Sequence, residues 1–152
     1  MTASADGVAV RPLAATDRAA WGGLWQGYLD FYETTLPAAQ FDLHFSQMID
    51  PEVPETTGFV AIMGDRLAGL AHCIWHVHGW YAAPVCYLQD LYTDPALRGR
   101  GAGTALVRAV YAEADARGAP RVYWTTQAFN HDARRLYDRV GVLTPFIKYQ
   151  RP

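Results

Sequence analysis

Alternating glycines and arginines break an otherwise apolar and aromatic chain at Arg98-Gly99-Arg100-Gly101-Ala102-Gly103. No other segment constrains the fold as strongly. Val85 to Thr93 before it reads as a strand ended by Asp94-Pro95, and Ala102 to Arg117 after it reads as a helix stopped at Gly118. A strand end, a tight turn and a helix start must therefore meet within a few residues. Glycine lets the backbone turn there and lets a ligand approach without a Cβ in the way. The helix points its unpaired N–H groups and the positive end of its dipole back at the loop. Arg98 and Arg100 add charge-assisted donors. Such a segment is a site for a phosphate or pyrophosphate.

Two familiar anion loops are excluded by spacing. A dinucleotide fingerprint needs G-x-G-x-x-G early in a βαβ unit. Here the glycines stand at 99, 101 and 103, position 104 is Thr, and three antiparallel-looking strands come first. A nucleotide-triphosphate loop needs a lysine before its Ser/Thr, whereas Thr104 follows Gly103.

The chain has 152 residues, which fits one domain over 1–152 with a single substantial core. Hydrophobic residues make up 51% and charged residues 18%, a balance that excludes disorder. The net charge of −2 gives no general attraction to nucleic acid. No apolar run is long enough to span a bilayer, and Met1 to Gly7 lacks the pattern of a secretory signal. With no secretory signal, Cys73 and Cys86 read as reduced core residues, so the expected location is the cytoplasm.

Periodicity gives a strand at Val8 to Leu13 and an aromatic-faced helix over Arg18 to Thr34, with Thr16-Asp17 as its cap. A second helix runs from Pro37 to the Pro51/Pro54 stop, anchored by Phe41, Phe45, Met48 and Ile49. Gly58 to Met63 and Arg66 to His76 form a hairpin around Gly64-Asp65. After the glycine loop and its helix come a strand at Arg121 to Thr126, a helix at Asn130 to Arg139 and a closing strand at Leu143 to Tyr149. This order specifies an α/β (α+β) single domain.

These residues resemble the GNAT superfamily of acetyl-CoA-dependent N-acetyltransferases. Arg98 to Gly103 matches its R/Q-x-x-G-x-G/A signature. Tyr87-Leu88-Gln89-Asp90-Leu91-Tyr92 is similar to the central strand. Asn130 to Gly141, with Asn130, Ala133, Leu136, Tyr137 and Gly141 in register, is similar to the second motif. Pro145 to Tyr149 resembles the closing strand of yeast histone/polyamine acetyltransferases, and the Trp25-to-Tyr32 aromatics resemble the acceptor side of diamine acetyltransferases. The fold implied is a mixed, mostly antiparallel sheet flanked by helices, with splayed central strands.

The resemblance implies acetyl-CoA as donor and direct transfer to a primary amine of a small molecule, such as a polyamine or an amino acid. The pyrophosphate would lie on Arg98, Gly99, Arg100, Gly101, Ala102, Gly103 and Thr104. The pantetheine arm would pair with the strand at Leu91, Tyr92 and Thr93, by the logic of β-augmentation. Asn130 would orient it. Tyr137, seven residues on and so on the same helix face, would protonate the leaving thiolate. An ordinary phenol keeps its proton at neutral pH, as that role requires.

An alkylammonium must lose a proton before it attacks. Relatives carry Glu on the central strand where this chain has Gln89, and a carboxamide is no general base. Alternation points Asp90 to the opposite sheet face. Gln89 is thus expected to act only as a relay through ordered water, with His72 or His76 as a further relay. His72, His76 and His78 share strand parity; a metal triad is conceivable, but the reading adopted is surface or acceptor-site histidines with no metal. Trp25, Tyr28, Tyr32, His72, Gln89 and Asp90 make up the expected acceptor side. Two other readings stay open: acetylation of protein lysines or N-termini, and an acyl-CoA-binding sensor, which the absent Glu favours. The closing strand of relatives pairs or exchanges between subunits, implying a homodimer. No nucleic acid or membrane partner is expected.

Overall fold

The computed structural model describes residues 2–3 and 7–152. Six strands lie in sequence order across one sheet: β1 (Thr2–Ala3), β2 (Val8–Pro12), β3 (Thr56–Met63), β4 (Arg66–His76), β5 (Val85–Thr93) and β6 (Val122–Tyr123). Every neighbouring pair is antiparallel except β5 and β6, which are parallel. Four α-helices among the described residues flank the sheet: α1 (Arg18–Phe31), α2 (Ala38–Ile49), α3 (Ala102–Arg117) and α4 (His131–Val140). The expected mixed, mostly antiparallel sheet flanked by helices is borne out.

The helices divide between the two faces of the sheet. Leu106, Val107 and Val110 of α3 are fully buried with Val8, Ala61, Ala71, Cys73 and Cys86. On the other face Trp21 and Trp25 of α1 pack with Phe41, Phe45 and Met48 of α2 over Val60 and Leu70. The i, i+3/i+4 spacing of these residues is what the sequence periodicity predicts. Asp17 stands at the start of α1, but its carboxylate does not cap that helix. It turns back to accept from Arg11 at 2.6 and 2.8 Å and from the Ala14 N–H at 2.8 Å, tying β2 to the helix start.

Two irregularities shape the site. In the β4–β5 pair, Cys73 lies opposite Leu88 and His72 opposite Asp90, so Gln89 is an unmatched bulge residue. The bulge resets alternation. Leu88 packs on the α3 face, while Asp90 turns to the α1/α2 face beside His72. Secondly, β6 has only two residues and pairs only with Cys86 and Tyr87, leaving the rest of the β5 edge open on that side.

The expected strand over Arg121 to Thr126 therefore shrinks to Val122–Tyr123. The expected closing strand at Leu143 to Tyr149 is absent. These residues are not in the sheet, and Leu143, Phe146, Ile147 and Tyr149 are each at least three-quarters exposed. A strand forms only where another offers its backbone groups, and no strand among the described residues reaches this segment.

Candidate active site

The open edge of β5 forms one wall of a cavity of about 690 Å³. Leu91, Tyr92 and Thr93 line that wall. The glycine loop contributes Arg98, Gly99, Gly101, Ala102, Gly103 and Thr104 to the lining. The Asn130-to-Arg139 segment and Tyr28, Phe31 and Tyr32 from the end of α1 complete it.

The loop has the conformation that its glycines allow. Gly99 and Gly101 take left-handed φ values of 75° and 88°, and Gly101 is the residue from which α3 starts. The first N–H groups of α3 have no acceptor within the helix, so they face the cavity end of the loop. A Cβ on Gly103 would sit 2.9 Å from Leu136 Cδ2, so glycine at 103 also lets α4 approach α3. Arg98 is held by its Nε–H, which donates to Thr93 O at 3.3 Å, and its guanidinium lies 5.9 Å from the Tyr92 ring. Arg100 is exposed and not part of the lining. Two lining arginines carry no signal in the loop motif: Arg135 and Arg139 on α4. The free helix N–H groups, the close backbone approach and the nearby guanidiniums suit a pyrophosphate.

Asn130 and Tyr137 both face the cavity, as their spacing requires. The Asn130 side chain also caps α4, accepting from the Ala133 N–H at 3.4 Å. Burial pushes the Tyr137 phenol up to about 12. Its hydroxyl thus keeps its proton throughout the physiological range and can donate to a developing anion.

The expected acceptor-side residues fall into three places. Tyr28 and Tyr32 line the cavity. Gln89, the bulge residue, is exposed and lies outside the lining. Trp25, His72 and Asp90 are buried behind Tyr28. Trp25 stacks on Tyr28 with ring centroids 4.8 Å apart, and its Nε1–H has no partner among the described residues. The Trp21 Nε1–H donates to His72 Nε2 at 3.0 Å. His72 Nδ1 lies 2.9 Å from Asp90 Oδ2 and 3.1 Å from His44 Nε2. Burial holds the Tyr28 phenol well above its usual range, with the charge of Asp90 adding to it. Burial beside His72 lowers His44 to about 4.

The three histidines that share parity do not converge. His76 lies four residues along β4, ~13 Å away, where its ring meets Tyr123 Oη at 2.7 Å and Val77 O at 2.9 Å. His78 lies past the strand end and accepts from the Trp80 N–H. The partner that His72 does find, His44, stands three residues after Phe41 on the buried face of α2. Helical spacing carries that signal, although a histidine is not one of the apolar residues that mark the buried face.

A profile of the acetyltransferase (GNAT) family matches residues 21–142. The chain belongs to that family. Among curated proteins, it is 35% identical over 148 residues to the D-amino-acid N-acetyltransferase HPA3 of Saccharomyces cerevisiae, covering 96% of this chain and 91% of the relative. It is 28% identical over 91 residues to the thialysine N-epsilon-acetyltransferase of Caenorhabditis elegans, covering 60% and 56% of the two chains. Among solved structures, the aminoglycoside acetyltransferase AAC(6')-Iy in complex with a CoA-based bisubstrate analogue superposes with a TM-score of 0.80. That match covers 95% of this chain and 98% of that one at 19% identity, and so speaks to fold alone. The expected N-acetyltransferase is borne out. Enzymes of this family use acetyl-CoA, which fits the cationic, helix-capped end of the cavity.

Proposed function

We propose that this acetyltransferase moves an acetyl group from acetyl-CoA directly to the primary amine of a small amino-acid-like molecule. One observation carries the reading: the loop that starts α3, the open edge of β5 and Tyr137 all line one cavity that Tyr28, Phe31 and Tyr32 also line. Acetyl-CoA supplies an acetyl group activated as a thioester. The N–H groups of Ala102 to Thr104, with Arg98, hold its pyrophosphate. Backbone groups of Leu91 and Thr93 pair with the pantetheine arm, and Asn130 orients it. Tyr137 donates a hydrogen bond to the departing sulfur. Tyr28, Phe31 and Tyr32 enclose the acceptor. The activity of the yeast relative makes D-amino acids the first acceptors to try.

The exposed C-terminal segment supports a homodimer in which Phe146, Ile147 and Tyr149 are covered by a second copy. A monomer at micromolar concentration in sedimentation would contradict this. We also place the protein in the cytoplasm, without nucleic acid or membrane partners. The buried free thiols of Cys73 and Cys86 support a reducing compartment. No helix among the described residues is long and apolar enough to cross a membrane.

Calorimetry with acetyl-CoA tests the donor half. Arg98→Ala removes a charge-assisted bond of about 1.5–3 kcal/mol, which is roughly a 10- to 100-fold loss of affinity. Gly103→Val, which crowds Leu136, is expected to weaken binding as well. Unchanged affinity in both variants contradicts the placement of the pyrophosphate.

A further inference from the structure

Acetyl-CoA carries a pyrophosphate in mid-chain and a further phosphate on the 3′ carbon of its ribose. The glycine loop, the N–H groups that start α3 and Arg98 suit the pyrophosphate. Nothing in the loop is left over for the 3′-phosphate, since Arg100 stands outside the lining. Yet the same cavity is lined by two further arginines, Arg135 and Arg139, both from α4.

Their place on the helix fixes where they meet a ligand. Successive helical residues turn by about 100°, so Asn130 and Tyr137 share one flank of α4, about 20° apart. About 100° round from Tyr137 stands Leu136, which touches the start of α3: a Cβ on Gly103 would lie 2.9 Å from its Cδ2. Arg139 and Arg135 follow about 60° and 100° beyond Leu136, on the other flank. All of these residues line the cavity. Round α4 the order is therefore Tyr137, then Leu136 against the glycine loop, then the two arginines. Along acetyl-CoA the order is thioester and pantetheine, then pyrophosphate, then the 3′-phosphorylated ribose. The two orders coincide.

The partners of these arginines leave them available. Among the described residues no carboxylate lies within ion-pair reach of Arg139. Arg135 Nη1 donates to Asp132 Oδ1 at 2.8 Å, but the two side chains are 74% and 87% exposed, so water screens the pair and it exchanges easily. Asp132 is the one carboxylate in the lining, and Arg135 offsets its charge. Arg134, between them in sequence, turns away and donates to Ala128 O at 2.8 Å. We propose that Arg139, assisted by Arg135, binds the 3′-phosphate of acetyl-CoA and makes the enzyme selective for the 3′-phosphorylated donor. The proposal rests on acetyl-CoA being the donor, as proposed above. A guanidinium presents paired N–H donors that match two phosphate oxygens. Arg135 must give up Asp132 to reach the phosphate, so it contributes less than Arg139. Both are binding residues on the flank of α4 away from Tyr137, and they leave the chemical step unchanged.

Calorimetry with acetyl-CoA and 3′-dephospho-acetyl-CoA isolates this phosphate, since the two donors differ in nothing else. Wild type should bind acetyl-CoA about 10- to 100-fold more tightly than the dephospho form. Arg139→Ala should weaken acetyl-CoA about 10-fold and the dephospho form less than about 2-fold. Arg135→Ala should show the same selectivity at about 3-fold. Both positions are exposed, so the fold does not depend on them. The double variant should bind the two donors alike. Arg98→Ala, at the pyrophosphate, should instead weaken both donors equally. Equal losses for both donors in Arg139→Ala, no loss for either, or a wild type that does not tell the donors apart overturns the assignment of the 3′-phosphate while acetyl-CoA binding stands. Wild type that binds neither donor overturns the acetyl-CoA reading itself, and this inference with it.

Discussion

The two faces of the sheet are built from different materials. Under α3 the core is apolar throughout, from Val8 on β2 to Leu106 and Val110 on the helix. Under α1 and α2 the core is aromatic and encloses His72 and Asp90, held by Trp21 and His44. The α3 face gives a rigid base to the loop that α3 starts from. The α1/α2 face gives up some apolar packing to bring ionisable groups close to the cavity. The cavity lies where both faces meet the open end of β5, so under the proposed function opposite layers of the fold would handle donor and acceptor.

Point substitutions can break this contrast. The largest effect is expected on the apolar face. Leu106→Ala leaves a cavity in a fully buried site and should cost about 2–5 kcal/mol in denaturant unfolding. Turnover per folded molecule should persist. On the other face, Trp21→Phe keeps the ring packing but removes the donor to His72, with an expected cost of about 1–3 kcal/mol. That smaller change should disturb turnover more than Leu106→Ala does. If the two variants rank the same way in stability and in turnover, the division of labour between the faces is wrong.

The smallest effect is a dependence on pH. His44 falls from an ordinary 6.5 to about 4 in the folded chain because burial disfavours its charge. Between these values the unfolded chain binds more protons than the folded one, so stability should rise with pH through that window and fall on acidification. Thermal unfolding of wild type and His44→Gln from pH 7 to pH 4 checks this. The variant should lose part of the acid sensitivity. Parallel curves would mean that His44 is not held neutral.

The sequence was legible where backbone chemistry is written into residue type. Gly99 and Gly101 occupy left-handed positions, Gly118 ends α3, and Asn130 caps α4, each as its type and position suggest. Tyr137 shares a helix face with Asn130, so the cavity lining could be read seven residues ahead. The His44–His72–Asp90 junction was not legible in this way. It depends on a bulge at Gln89 that alternation does not foresee, and on a histidine, His44, 46 residues before Asp90 in the sequence. His72 and His76 do share parity, but parity says nothing of distance along the strand. The Leu143-to-Tyr149 segment has strand-like residues and no strand to pair with, a matter of topology that local pattern does not encode.

The most direct measurement is release of free thiol from acetyl-CoA by wild type and Tyr137→Phe, across D-amino acids, diamines, aminoglycosides and basic peptides, with the product mass recorded. Acetyl transfer predicts thiol release that needs a small primary amine, a product heavier by one acetyl group, and a kcat about 100-fold or more lower in Tyr137→Phe at unchanged acetyl-CoA affinity. Tight acetyl-CoA binding without amine-dependent thiol release, or equal turnover in the two proteins, would contradict it.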